Sequence, residues 1–99
     1  MQIIGIDIGT TTISGAVLEY ENEKTVKLLA KTIENGGFMP TANEWEKIQD
    51  AGAIVKKAEK LLDDLLDKYP QTERIGLTGQ MHGIVYIDQT GTCVSPLYT

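Results

Sequence analysis

Two short stretches of the 99-residue sequence carry side chains whose types and spacing suit chemistry. The first is Asp7-Ile8-Gly9-Thr10-Thr11-Thr12. A carboxylate within the apolar run Ile3–Ile8 is costly to bury unpaired. Alternation along a strand puts Gly5, Asp7 and Gly9 on one side, which leaves that side open beside the acid. Three hydroxyls and their backbone N–H groups follow at a tight turn. Such a turn is a donor-rich concavity suited to phosphate oxygens, with Gly9 allowing close approach to the backbone. In this reading Asp7 lies near a metal and a phosphoryl group in transit. The same residues also suit a plain capped turn, in which Asp7 and the threonines satisfy their own backbone.

The second stretch is Gly76-Leu77-Thr78-Gly79-Gln80-Met81-His82-Gly83. Two glycines bracket a Gln-Met-His triplet. Gln80 and His82 offer donors and acceptors matched to sugar hydroxyls, and Met81 adds adaptable apolar contact. His82 is the only histidine, and a lone histidine equally serves as a structural hydrogen-bonder. With no second His and a single Cys, no transition-metal site can be built around it. Any divalent ion would arrive with a nucleotide and bind through oxygen ligands.

The elements that must position these residues follow from periodicity. Ile3–Ile8 is apolar at nearly every position, as a strand buried on both faces would be. Ile13–Tyr20 is a second strand, Glu21–Lys24 a polar hairpin connection, and Thr25–Ile33 a third strand, so the first three neighbours are antiparallel. A loop of about ten residues opens at Asn35-Gly36-Gly37, long enough to be a candidate functional segment that contributes to sugar selection. Trp45 and Ile48 are spaced for a short helical turn, with Trp45 packed or lining the sugar. From Asp50, a plausible N-cap, Ile54, Ala58, Leu61, Leu62, Leu65, Leu66 and Tyr69 fall at helical spacing until Pro70. Lys56, Lys57, Glu59, Lys60, Asp63, Asp64 and Asp67 mark its solvated face. Glu73–Thr78 is a fourth strand and Gly83–Asp88 a fifth, followed by a turn at Gln89-Thr90-Gly91 and a return over Thr92–Ser95. The strand reached through the helix should lie parallel to the first, giving an α/β mixed sheet with a helical crossover. Both chemical stretches then open at neighbouring strand C-terminal ends, into one cleft. That is the arrangement a phosphoryl transfer to an alcohol needs.

Composition removes other classes. The chain is 41% hydrophobic and 23% charged with a net charge of −5, the balance of an ordinary soluble domain. Its nine basic residues form no stripe, which argues against nucleic acid as a partner. No apolar run is long enough to cross a membrane, and no signal peptide precedes the first strand. Cys93 has no partner for a disulfide and reads as a small strand-facing hydrophobe, so the expected location is cytoplasmic.

At this point the sequence resembles the FGGY carbohydrate kinases, members of the actin-like ATPase superfamily with ribonuclease-H-like domains. Asp7-x-Gly9-Thr10-Thr11 looks like the superfamily's first phosphate motif, and Gly79-Gln80-Met81-His82-Gly83 looks like the sugar-contact motif of xylulokinases and sedoheptulokinase-like enzymes. Residues 1–99 would then be a partial N-terminal actin-like domain with the C-terminal domain absent. The resemblance implies ATP and Mg²⁺ as cofactors and a ketose of the xylulose or sedoheptulose class as substrate. It implies that Asp7 helps place metal and phosphates, that Gly9, Thr10, Thr11 and Thr12 line the nucleotide phosphates, and that Gln80, Met81 and His82 line the sugar. No direct metal ligand is implied, and the catalytic base lies beyond the matched segment. Ser14 stands where the family usually has Lys or Arg. The piece alone is expected to be inactive, and exposed apolar surface around the first strand and Leu97-Tyr98 leaves dimerisation or strand exchange open. An acyl-dehydratase activator or another actin-like ATPase subunit would share Asp7-Gly9-Thr10 but has no use for Gln80-Met81-His82. A stand-alone binding module is a third reading.

Overall fold

A computed structural model describes residues 1–99. Strands β1 (Gln2–Ile8), β2 (Thr12–Glu21), β3 (Lys24–Glu34) and β5 (Thr72–Gly79) form one sheet in the order β3-β2-β1-β5. A two-residue strand β4 (Ile48–Gln49) precedes the helix α1 (Ala51–Lys68), and another, β6 (Leu97–Tyr98), pairs with β4 in a second small sheet.

The expected order holds because each local signal agrees with the pairing. Asn22 and Glu23 take φ of 51° and 63°, the left-handed pair that closes a two-residue hairpin between β2 and β3. β1 is antiparallel to β2 and parallel to β5, so the helix is a crossover that returns the chain to the other side of β1. Asp50 caps α1, its Oδ1 accepting from the Ala53 N–H, and Pro70 follows just beyond the C-cap Tyr69.

The core lies on one side of the sheet only. Ile4, Ile6, Ile13 and Val17 meet Ile54, Leu61 and Leu65 of the helix. Gly15 lets them meet, since a Cβ there would fall 2.6 Å from Leu65 Cδ1. β1 is therefore not buried on both faces as the apolar run suggested. Its other face carries Gly5 and the exposed Asp7, and with Ser14, Ala16, Thr32 and Thr78 it bounds a shallow depression of about 450 Å³.

Three other expectations fail. Trp45 and Ile48 form no helical turn: Trp45 is 78% exposed, and Ile48 is drawn into β4 by pairing with Tyr98. Gly83–Asp88 and Thr92–Ser95 are not strands but a loose hairpin, joined by single bridges at Ile87–Cys93 and Ile84–Tyr98. No helix or sheet face covers this hairpin, so its apolar side chains Ile84, Tyr86, Ile87 and Val94 stay exposed and no ladder is consolidated. Cys93 is exposed there for the same reason. Apolar surface remains open elsewhere too, at Leu77 on the edge strand and at Tyr98.

Candidate functional site

The turn between β1 and β2 is held from behind, carbonyl by carbonyl. Gly9 N–H donates to Thr12 O at 2.9 Å and closes the turn. Asn35 Nδ2 donates to Gly9 O at 2.7 Å, Gln49 Nε2 to Thr10 O at 2.9 Å, and Asn35 N–H to Thr11 O at 2.9 Å. With all four carbonyls engaged on the protein side, the N–H groups of Thr10 and Thr11 donate to no protein acceptor. Successive free N–H groups in a pinned turn make a concavity for anionic oxygen. Gly9 cannot be replaced without moving the turn, because a Cβ would sit 2.8 Å from Thr12 O. Behind it, Lys57 Nζ donates to Asn35 O at 2.7 Å, which puts a positive charge on the far side of the anchor. Asn35 Oδ1 is buried without a partner, a polar cost of this arrangement.

The second stretch begins where β5 ends. Gln80 N–H continues the ladder to Ile8 O at 2.9 Å, and the chain then leaves the sheet. Its side chain joins the two stretches: Thr10 Oγ1 donates to Gln80 Oε1 at 2.9 Å, and Gln80 Nε2 donates to Gln49 Oε1 at 3.2 Å. With the Gln49–Thr10 bond these close a ring through residues 10, 49 and 80. Met81 is 77% exposed, and His82, also exposed, takes φ 64°, a left-handed conformation that costs about 1 kcal/mol or more outside glycine. Both face solvent rather than the core. Asp7 lies in register between Ser14 and Thr78 on the open face. Ser14 and Thr32 share a hydrogen bond of 2.9 Å beside it. No three His, Cys, Asp or Glu side chains cluster, but an exposed carboxylate flanked by hydroxyls fits an oxygen-loving ion such as Mg²⁺ that comes with its own phosphate and water ligands.

The same arrangement of strands, helix and loops occurs in solved sugar kinases. Xylulose kinase from Rhodospirillum rubrum superposes with a TM-score of 0.80 at 19% identity, over 99% of this chain and 20% of that one. Gluconate kinase from Lactobacillus acidophilus gives 0.78 at 22% identity, over 99% and 19%. The chain has the fold of a sugar-kinase N-terminal segment. That fold is the expected ribonuclease-H-like, actin-like one, and the chain spans about a fifth of the length of these kinases. No protein-family model matches. In sequence, the chain is 33% identical over 75 residues to a Bacillus subtilis protein described as an uncharacterized ABC transporter ATP-binding protein, YdbJ. The match covers 75% of this chain and 22% of that protein. This chain contains no Gly-x-x-x-x-Gly-Lys-Ser/Thr loop.

In this kinase fold Thr10 and Gln80 come into contact, although 70 residues separate them in sequence. Asp7 makes no side-chain hydrogen bond to Gln80, Met81 or His82 and lies instead in the depression on the open sheet face, beside Ser14 and Thr78. Sequence reasoning missed Asn35, Gln49 and Lys57. Asn35 marked only the start of a loop, and Lys57 was assigned to the solvated face of α1. Gln49 stood out in no pattern, because a buried polar side chain is visible only through its partners.

Proposed function

We propose that this chain is the N-terminal part of an ATP-dependent carbohydrate kinase of the FGGY type, which transfers the γ-phosphoryl group of ATP to a hydroxyl of a ketose. The observation that carries the proposal is the ring Thr10–Gln80–Gln49, which sets a phosphate-sized row of N–H donors directly beside an amide able to read a hydroxyl. Thr10 and Thr11 receive phosphate oxygens on their free N–H groups, Thr12 closes the turn, and Gly9 lets the ligand approach the backbone. Asp7 helps hold the nucleotide's Mg²⁺, which supplies charge neutralisation to the phosphates when bound. Gln80 and His82 orient the sugar hydroxyls, and Met81 covers the apolar edge of the ring. Catalysis of this kind is mostly positioning and charge stabilisation. The proton of the attacking hydroxyl goes to a base outside residues 1–99, so the 99-residue chain alone turns over no substrate. Ser14 gives no cation to the phosphates, and Lys57 behind Asn35 is the nearest charge tied into the turn. A single exposed Cys93 suits a reducing cytoplasm.

Sugar-dependent ADP release by the complete kinase polypeptide tests the proposal, with xylulose, sedoheptulose, ribulose, gluconate and glycerol compared. Activity with a ketose and not with glycerol supports the Gln80-Met81-His82 assignment. ATP hydrolysis that no sugar stimulates favours a second reading, another actin-like ATPase subunit.

A further inference from the structure

We propose that Gln49 is a positioning residue: it fixes which way the Gln80 amide faces, and it ties that orientation to the phosphate turn. The inference rests on the kinase reading for its consequence in catalysis, though not for its geometry.

Gln49 is 3% exposed, so its amide has given up water and must be satisfied by protein. Each end of that amide serves a different segment. Nε2 donates to Thr10 O in the turn, and Oε1 accepts from Gln80 Nε2 in the loop after β5. Thr10 Oγ1 completes the circuit by donating to Gln80 Oε1. Every link therefore runs donor to acceptor in one sense around the ring. An amide has a donating end and an accepting end. The Thr10 hydroxyl could face either, but Gln49 Oε1, whose own amide is fixed by its N–H on Thr10 O, can only accept, so turning Gln80 over would oppose acceptor to acceptor at Gln49. The ring admits one orientation. It leaves Gln80 with one N–H and one oxygen lone pair free for a ligand, at set positions.

The backbone that carries Gln49 is itself held from outside the site. Ile48 and Gln49 pair with Tyr98 and Leu97, Met39 N–H donates to Ile48 O, and Thr99 N–H to Lys47 O. Gln49 is thus a fixed post between the turn and the loop, and a shift of the turn at Thr10 would reach Gln80 through it. In a kinase this couples the phosphate and hydroxyl sides, so that the sugar is bound in register with the phosphoryl group only when the turn is in place.

The substitution Gln49→Glu separates this role from packing. It keeps shape and the acceptor toward Gln80, but when ionised it removes the donor to Thr10 O and sets two acceptors against each other. Burial raises the carboxyl group's pKa, so protonation between about pH 9 and pH 5 restores a donor. Side-chain and backbone amide signals of the 99-residue chain, followed by NMR over that range, are read first. The expected result is that Thr10–Thr12 and the Gln80 side chain of Gln49→Glu shift together at high pH and return together as pH falls. Wild type, with His82 in the same loop as its own ionisable group, shows no coupled movement of the turn and the Gln80 side chain. Independent movement of the two, or no pH-dependent movement, overturns the proposal whether or not the protein is a kinase. In the complete polypeptide, Gln49→Glu should raise the sugar KM about tenfold at the alkaline end and less at the acid end, with kcat changed less. An equal loss at every pH would reduce Gln49 to a structural residue. If wild type shows no sugar-dependent turnover, the kinase reading fails, and the NMR result alone decides whether Gln49 orients Gln80.

Discussion

The turn Gly9–Thr12 and the loop Gln80–Gly83 lie side by side, yet they are built in opposite ways. The turn joins two long paired strands, and every one of its carbonyls has a donor behind it. The loop leaves an edge strand, enters a hairpin with only isolated bridges, and is anchored through Gln80 alone. A phosphate site has a fixed target and gains from rigid donors. Met81 and His82 stand exposed, free of the core, and in the kinase proposed above a loop of that kind would serve ligands that differ in shape. The lesson is that rigidity here comes from neighbours rather than from local sequence: the turn is anchored at four carbonyls along its length, the loop only at its first residue, Gln80.

The comparison breaks most completely if the frame under the turn is lost. Leu65 is 1% exposed and packs beneath Gly15, so Leu65→Ala should cost about 2–5 kcal/mol of unfolding free energy in denaturant titration and loosen turn and loop alike. A smaller change should act on the turn only. Asn35→Ala removes the donor to Gly9 O but also the unpartnered Oδ1, for a net loss of about 1 kcal/mol. Hydrogen exchange should then quicken at Gly9 and Thr12 while the Gln80 amide, bonded to Ile8 O, keeps its protection. Equal quickening at both would mean that turn and loop are one unit.

The smallest effect belongs to the hairpin beyond the loop. The Thr90 hydroxyl first, then the Thr92 and Thr90 N–H groups, hold the Asp88 carboxyl below its ordinary value of 3.8. A depressed pKa means that the contribution is complete above 3.8 and is lost as pH falls through the lower folded value. Acid should therefore release the Thr90 and Thr92 amides in an NMR titration, without disturbing Thr10–Thr12. The substitution Asp88→Asn should remove that acid transition.

The sheet was legible because several local signals coincided. Apolar runs, the polar Glu21–Lys24 connection, the Asp50 cap and Pro70 each named a boundary, and the crossover rule then placed β5 beside β1. The same logic misled where a signal had no tertiary support. Ile84, Tyr86 and Ile87 have strand composition but stay exposed, so the segment makes bridges instead of a ladder. In the run Ile3–Ile8 the apolar residues were read as covered on both faces, whereas α1 covers one. Two-residue strands such as β4 and β6 leave no periodicity to read at all.

What the sequence by itself determined is the order of strands and helix and the placing of Asp7, the threonine turn and Gln80-Met81-His82 at neighbouring strand ends, since these follow from short-range periodicity and chain-connection rules. The tertiary structure alone decided that Asn35, Gln49 and Lys57 stand behind the turn, and that Gln80 faces Thr10 through a one-way ring. The reason is physical. A backbone pattern repeats along the chain and is visible in it, but a buried amide is defined by which donors and acceptors reach it, and those come from residues 39 and 31 positions away.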